Sequence, residues 1–270
     1  MRSLLIIGTA CLLAACGTTR QASTQLPRHS TPTEPIPVPV ADPSPARQEA
    51  PIAPESPPPR LRELFPHVRA DVAARLVELD GVVPIDCHHP ETPVVYLEVT
   101  VCTPDTKEHE ALVVTKARPS HVHAALLAVG FTPGAPGRWT WDGKSLKAIA
   151  PTGDALDVSV AYRAADGTEI ETPVTRWVTN ADPKGPAFGA AAGSRFVFSG
   201  SAMVMREGRE WYDADGSGLL IGLTTFGSEA IAWSEVISHD ATIAEPEWIA
   251  DPKVVPKFGT PVVVRIRPAR

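Results

Sequence analysis

The polar residues whose types and spacing best suit chemistry are Glu108, His109 and Glu110, followed along the chain by His121 and His123. Carboxylates and imidazoles gathered at one point can bind a divalent cation or carry out acid–base catalysis. A site built from the first three residues and His121 would make the protein a metal-dependent or acid–base hydrolase. The competing interpretation, which the sequence favours, is a solvated strand edge whose carboxylates pair with neighbouring lysines.

The predicted backbone limits what this triplet can do. If the strand predicted at 111–115 extends back through the triplet, Glu108 and Glu110 lie on one face, about 7 Å apart, and His109 points to the other face. Two carboxylates at that separation suit a divalent cation or inverting acid–base work. Because only a short link joins this strand to the next helix, His121 could approach the triplet and complete a small metal site.

A helix is predicted between Pro119 and Gly130. Proline suits the first helical position, and glycine suits the left-handed residue that follows the last one. The apolar residues between them keep the i, i+3, i+4, i+7 spacing of a single buried face. At about 100° per residue, the imidazoles of His121 and His123 diverge by about 200°, so they cannot bind one metal together.

The stretch Asp-Ala-Asp-Gly-Ser-Gly at 213–218 resembles the first half of a calcium-binding loop, with Asp213 and Asp215 at ligand positions. Thr224 stands where such a loop requires a glutamate that binds through both oxygens. The apolar residues 219–223 predict a strand, so the favoured interpretation is a hairpin turn. No cofactor is therefore predicted, and a divalent metal is kept only as the alternative.

The N-terminal sequence MRSLLIIGTACLLAACG predicts an export signal over residues 1–16. Arg2 supplies the positive charge, and the apolar run after it is shorter than the ~20 residues of a spanning helix. Leu13-Ala-Ala-Cys16 resembles the bacterial lipobox, which implies that Cys16 carries a lipid that attaches the protein to the membrane. Gly17 stands in place of the aspartate linked to inner-membrane retention. We therefore expect the protein on the periplasmic side of the cell envelope, with the outer membrane favoured.

Residues 17–59 are rich in proline, with 12 prolines between Pro27 and Pro59 and no aromatic residue. This composition cannot bury enough apolar surface to offset the entropy of ordering, which predicts a disordered tether. At ~3.1 Å per residue, the tether could hold a domain on the order of 100 Å from its lipid. Residues 60–270 are then left for a single globular domain.

Charge and cysteine content narrow the class of protein further. The formal net charge is −6 and no basic stripe is present, which argues against nucleic acid as a partner. Beyond the signal and Cys16, the remaining thiols are Cys87 and Cys102. Two such thiols in an exported protein are a candidate disulfide, although the sequence does not fix their separation.

The folded part is predicted to be α+β, a mainly antiparallel sheet with one or two amphipathic helices packed on it. A first helix is predicted over 60–79, because Val68, Val72, Leu76 and Leu79 recur at helical spacing. Strands are predicted over the runs 81–87, 94–102, 111–115, 155–164, 172–178, 195–204, 218–226 and 260–268.

Several segments together resemble the YdjY-like domain family over roughly residues 80–268. They are Cys102-Thr-Pro-Asp-Thr-Lys-Glu-His-Glu-Ala-Leu-Val-Val-Thr115, Pro119-Ser-His-Val-His-Ala-Ala-Leu-Leu-Ala-Val-Gly130, and the later DADGSGLLIGL and FGTPVVVRIRP. The resemblance implies an exported or lipid-anchored bacterial protein of the kind frequent in planctomycetes, and it implies no particular activity. Some members are linked by name to ferredoxin-like proteins. This chain lacks the four closely spaced cysteines of an iron–sulfur cluster, so that role does not carry over.

These features predict a non-enzymatic, lipid-anchored envelope protein whose domain binds an envelope protein or a glycan. The hydrolase that uses the triplet and His121 is the alternative from a different class.

Overall fold

The computed structural model describes residues 60–270, so the predicted signal, Cys16 and the predicted tether lie outside the described residues. The described strands, in chain order, are β1 (Arg62–Phe65), β2 (Val68–Asp71), β3 (Leu76–Val82), β4 (Val99–Cys102), β5 (Ala111–Val114), β6 (Arg138–Trp141), β7 (Leu146–Ile149), β8 (Ala155–Arg163), β9 (Glu169–Pro173), β10 (Val178–Asn180), β11 (Phe196–Val197), β12 (Met203–Arg206), β13 (Arg209–Tyr212), β14 (Leu219–Gly222), β15 (Ala232–Trp233), β16 (Trp248–Ala250) and β17 (Pro261–Pro268). The helices are α1 (Pro119–Ala128) and the short α2 (Asp213–Ser217), with 3₁₀ turns at Glu108–Glu110 and Val174–Trp177.

One sheet of 11 strands dominates the described chain, and its longest path runs β14-β4-β5-β3-β17-β8-β11-β15. β4 and β5 pair in parallel, whereas β17 pairs antiparallel with both β3 and β8. Three further sheets have two strands each: β10 with β16, β12 with β13, and β6 with β7. The predicted α+β class is therefore confirmed at the level of a strand-dominated fold with two helices, and the large sheet is mixed.

The first described segment is a three-stranded meander, so the helix predicted over 60–79 is wrong. β1 pairs with β2, and β2 pairs with β3. The turn between β2 and β3 is closed by the Asp71 carboxylate, which accepts the N–H of Ala74 at 3.0 Å. Arg75 completes this turn with φ of 49°, and Val72 is 62% exposed in it. The helical spacing of the apolar residues is thus accidental, because they belong to two strands and a turn.

Helix α1 is present where the sequence predicts it. It begins at Pro119, and Gly130 follows its end with φ of 86°. Val122, Ala125 and Leu126 are buried, as expected for one apolar face, and the helix packs on β2 and β3.

Of the later predicted strands, several are confirmed, but the run 172–178 is wrong, because most of it is the 3₁₀ turn Val174–Trp177 between β9 and β10. β5, β8 and β17 lie within the predicted runs. The run 195–204 is instead divided into β11 and β12, because Gly200 and Ser201 both adopt positive φ, 85° and 55° respectively. That break creates the separate β12–β13 hairpin and places Ser201 beside the start of α1.

The two faces of the large sheet differ in chemistry. On β17, Val262, Val264 and Ile266 are fully buried in the main core, whereas Arg265 and Arg267 lie on the opposite face. All members of this core fall between Val68 and Ile266. Neither helix of the described region is long and apolar enough to span a bilayer.

Candidate functional site

Glu108 acts on its own loop. Residues 108–110 form a 3₁₀ turn, so the prediction that they extend a strand is wrong. The Glu108 carboxylate accepts the backbone N–H of Asp105 and, at 2.9 Å, that of Thr106. These backbone hydrogen bonds, together with one from its own N–H, lower the pKa of Glu108. The residue therefore closes the loop that precedes it and is not oriented toward a ligand.

Glu110 belongs to an ion cluster with Lys107 and Glu98, and Glu98 is a residue that the sequence did not single out. Lys107 Nζ lies 2.9 Å from Glu110 Oε2 and also donates to the Glu98 carboxylate. Burial raises the pKa of Glu98, whereas the hydrogen bonds that Glu110 receives outweigh its own burial and lower its pKa. His109 Nε2 lies 3.7 Å from Glu110, with 73% of the His109 side chain exposed. The cluster thus holds two unequal carboxyl groups joined by one ammonium.

The two helical histidines lie in different environments. His121 stacks on Phe65 of β1, with ring centroids 4.6 Å apart and planes inclined by 16°. His123 Nδ1 lies 2.9 Å from the hydroxyl of Tyr212 on β13. The predicted divergence of the imidazoles along α1 agrees with these separate contacts. Within residues 60–270, no group of three or more His, Cys, Asp or Glu side chains is placed to hold a metal ion. The metal site predicted from His109, Glu110 and His121 is therefore not assembled.

Asp213 and Asp215 lie on α2, so the hairpin turn predicted at 213–218 is wrong. The helix ends at Gly218, which has φ of 72°. Asp213 Oδ1 accepts from Arg206 at 2.8 Å, whereas Asp215 accepts from Arg118 Nε at 2.6 Å. Because each carboxylate is bound to its own arginine, the pair does not form the calcium site considered as the alternative.

Asp215 also defines the N-terminus of α1. Its Oδ1 accepts the N–H of Ser120 at 2.8 Å, and its side chain is only 6% exposed. A carboxylate at this position satisfies a free amide and complements the positive end of the helix. It fixes α1 against α2 and so sets the position of His123 relative to Tyr212.

The thiols predicted as a candidate disulfide are both free. Cys102 lies on β4 in a small apolar cluster with Val99 and Leu219, whereas Cys87 packs at the margin of the main core. Burial raises the pKa of both thiols, that of Cys102 to about 11. Their location in different clusters explains why no bond joins them.

A cavity of about 380 Å³ lies between the start of α1 and the β12–β13 hairpin. His123 and Tyr212 line it together with Ser120, Ser201 and Met203. Its polar groups are hydroxyls and an imidazole, and its remaining lining is apolar. This combination of a concave, mostly apolar surface with a few convergent polar groups is typical of a small-ligand site.

The imidazole and phenol in this cavity are held in their uncharged forms. Burial lowers the pKa of His123, and a hydrogen bond to the Gly200 carbonyl opposes this effect only in part. Burial and the nearby charge of Asp215 raise the pKa of Tyr212. The imidazole, the phenol and the serine hydroxyls present polar groups without charge, so the cavity suits an uncharged, hydroxyl-bearing ligand.

The Gly200–Ser201 turn shapes the wall of the same cavity. A Cβ on Gly200 would lie 2.7 Å from the Pro133 Cβ, so a side chain there would clash with Pro133, and it would touch His123 Cε1 at 3.5 Å. The Ser201 hydroxyl accepts the N–H of Ala214 at 3.1 Å and donates to the Ser228 carbonyl. The turn is therefore tied to α2 and to the core.

A larger cavity, of about 630 Å³, lies against the charged face of the sheet. It is lined by charged side chains, two of which, Glu171 and Arg267, pair with each other at 2.6 Å. The smaller cavity is the better candidate for an uncharged ligand, because its lining contains no charged side chain.

The fold and this cavity define an α+β domain with a small cavity whose lining contains no charged side chain. The chain belongs to the YdjY domain family, whose model matches residues 68–267, in agreement with the resemblance of its sequence segments. No curated protein and no solved structure matches the chain.

Proposed function

We propose that this YdjY-domain protein is a lipid-anchored cell-envelope protein that binds an uncharged glycan and performs no catalysis on it. The observation that carries the proposal is the neutral His123–Tyr212 pair in a cavity lined by hydroxyls. Sugars present hydroxyl donors and acceptors without charge, and such groups match this lining. The separate environments of His121 and Glu110 support a binding role over catalysis.

The location follows from the N-terminal sequence. Acylation at Cys16 would hold the protein on the periplasmic side of the envelope, preferentially at the outer membrane, and residues 17–59 would let the domain reach glycan away from the membrane. Metabolic labelling with an alkyne fatty acid tests the anchor. We expect the wild-type chain to be labelled and the Cys16→Ser variant to be unlabelled. Equal labelling of the two chains would refute the anchor.

Binding is tested by co-sedimentation of residues 60–270 with purified cell-wall glycan. Tyr212→Phe removes only the hydroxyl that contacts His123, and we expect binding to weaken about fivefold to tenfold, as for the loss of one hydrogen bond in a pocket. Tyr162→Phe is the matched control, because Tyr162 contacts Trp177, which lies outside the cavity lining. Equal binding by all three proteins, or absence of binding by the wild type, would refute the pocket.

A hydrolase centred on Glu98 and Glu110 is the second candidate, favoured by the convergence of both carboxylates on Lys107 Nζ, together with pKa shifts of opposite direction. A proton donor and a proton acceptor of unequal pKa are the requirement of acid–base catalysis. This candidate predicts release of soluble sugar from the same glycan and its loss in Glu98→Gln. Binding without release would leave the glycan-binding function alone.

A further inference from the structure

The β6–β7 hairpin is an amphipathic element separate from the large sheet. Its two strands pair with each other and with no other strand of the described chain. Trp139 faces Ala148, and Trp141 faces Leu146, so these four side chains share one face. An isolated two-stranded hairpin is marginal in water, and burial of this apolar face against a partner would stabilise it.

The apolar face of this hairpin is open at its tip. Trp141 is 67% exposed and Leu146 is 43% exposed, whereas Trp139, nearer the base, is half-buried. Gly143 in the turn has φ of 92°, and a Cβ added to it would meet no other atom within 4 Å. The tip can therefore approach a flat surface without a clash with the rest of the domain.

The charge of the hairpin indicates which surface it fits. Arg138, Lys144 and Lys147 stand against the single carboxylate of Asp142 in a protein whose formal net charge is −6. Asp142 lies 2.9 Å from Lys147 Nζ and accepts the N–H groups of Lys144 and Ser145. The contact with Lys147, followed by these backbone hydrogen bonds, lowers the pKa of Asp142 to about 2. The excess charge on the hairpin is therefore positive.

The β12–β13 hairpin provides an internal contrast. It also exposes large apolar side chains, including Met205 at 66% and Trp211 at 44%. Its two arginines, however, are matched by two glutamates in the sequence Arg-Glu-Gly-Arg-Glu at 206–210. Of these two hairpins, only β6–β7 combines exposed apolar side chains with an excess of positive charge.

We propose that the β6–β7 hairpin docks on an anionic lipid surface, with Trp141 and Leu146 in the interfacial layer. Indole rings favour this layer, and the basic residues in the turn (Lys144) and on the opposite face of the strands (Arg138 and Lys147) favour anionic headgroups. A covalent lipid and a basic amphipathic element together give more stable membrane association than either alone. The inference depends on the proposed anchor only to say which membrane surface the hairpin meets, because docking of the hairpin itself needs no acyl chain.

The test uses residues 60–270, which contain the whole main core and lack Cys16. The protein is sedimented with vesicles of phosphatidylglycerol and phosphatidylethanolamine, and separately with neutral phosphatidylcholine vesicles. We expect binding to the anionic vesicles, weaker binding at high salt, and little binding to the neutral ones. A Lys144→Glu/Lys147→Glu variant should bind at least about tenfold more weakly, because each basic residue near the surface contributes about fivefold.

The apolar contribution is tested by Trp141→Ala, with Trp211→Ala as the matched control on the other hairpin. We expect about fivefold to tenfold weaker binding for the first variant and a change below about twofold for the second. Equal loss in both variants, equal binding to neutral vesicles, or no binding by the wild type would overturn the inference. Circular dichroism of each variant confirms folding. Because this fragment is unacylated and no glycan is present, failure here leaves the results of fatty-acid labelling and glycan co-sedimentation unaffected.

Discussion

The charged face of the large sheet and the β6–β7 hairpin use similar residue types to opposite effect. On the sheet, Arg265 contacts Glu78 at 2.8 Å and Glu169 at 2.8 Å, and it also contacts Glu171. On the hairpin, the single ion pair joins Asp142 and Lys147, and the nearby indole of Trp141 is exposed to water. Charge on a strand is thus structural where partners surround it and is available for recognition where they do not.

Neighbouring strands create the partners on the sheet. Arg265 of β17 lies directly opposite Glu78 of β3 on one side and Ser159 of β8 on the other. Glu171 then reaches both Arg265 and Arg267 from β9. The hairpin has no third strand, so its side chains have no such neighbours.

The largest effect expected from this comparison is the loss of stability in Arg265→Met. The Arg265 side chain is 18% exposed and that of Glu78 is 6% exposed, so the substitution leaves a nearly buried carboxylate with a weaker partner. We expect the free energy of unfolding to fall by about 2–3 kcal/mol, measured by urea denaturation. Arg163→Met is the control, because Arg163 makes a single long contact of 3.4 Å with the Gly167 carbonyl. Equal effects of the two substitutions would mean that the network contributes nothing.

A smaller, pH-dependent effect is expected for Glu171→Gln. Burial raises the pKa of Glu171, but hydrogen bonds from Arg267, Ser159 and Arg265 outweigh it and lower the pKa to about 2. The unfolded carboxyl titrates near about 4.3, so its stabilising contribution is complete above that pH and is lost as the pH falls toward 2.

The Glu171→Gln variant should therefore be about 1–2 kcal/mol less stable than the wild type at neutral pH, a value reduced by the 31% exposure of the side chain. The difference should shrink as the pH falls from about 4.3 to 2. Urea denaturation at a series of pH values measures it. A difference that does not depend on pH would show that Glu171 contributes through packing and not through its charge.

The sequence predicts the elements whose signals are local. Helix α1 is found from Pro119 and Gly130 because a fixed proline φ and a left-handed glycine act on the backbone at those positions. β17 is found from alternation, because it buries one face, and β8 is found from the alternating sequence Asp157–Tyr162, although residues 158–161 are buried on both faces. These predictions do not depend on which strand lies beside them.

The segment over 60–79 is mispredicted because its turns lack the usual residues. His67 and Arg75 adopt positive φ where glycine or asparagine is expected. The one turn-forming residue that is present is Asp71, whose carboxylate accepts the Ala74 N–H. Because aspartate also occurs at many positions outside turns, its presence in the sequence alone does not identify this turn. Pairing of β2 with β3 therefore overrides an accidental helical period.

The candidate site is less predictable than the fold for a related reason. His123 and Tyr212 are separated by 89 residues, and no pattern in a single sequence links them. They meet because Asp215, three residues after Tyr212, binds the first turn of α1. Helical geometry alone predicts that the side chains of His121 and His123 diverge. The partner of each, Phe65 for His121 and Tyr212 for His123, depends on tertiary packing.

The smallest effect expected is on the stability of the Trp141→Ala variant. The indole is 67% exposed on a hairpin that pairs with no other strand of the described chain, so its removal takes little apolar area from the folded state. We expect the free energy of unfolding to change by less than about 0.5 kcal/mol in urea, against about 2–3 kcal/mol for Arg265→Met. A loss above about 1 kcal/mol would place Trp141 in the stabilising structure of the domain. The hairpin would then resemble the sheet face, and its exposed residues would no longer be explained by an external partner.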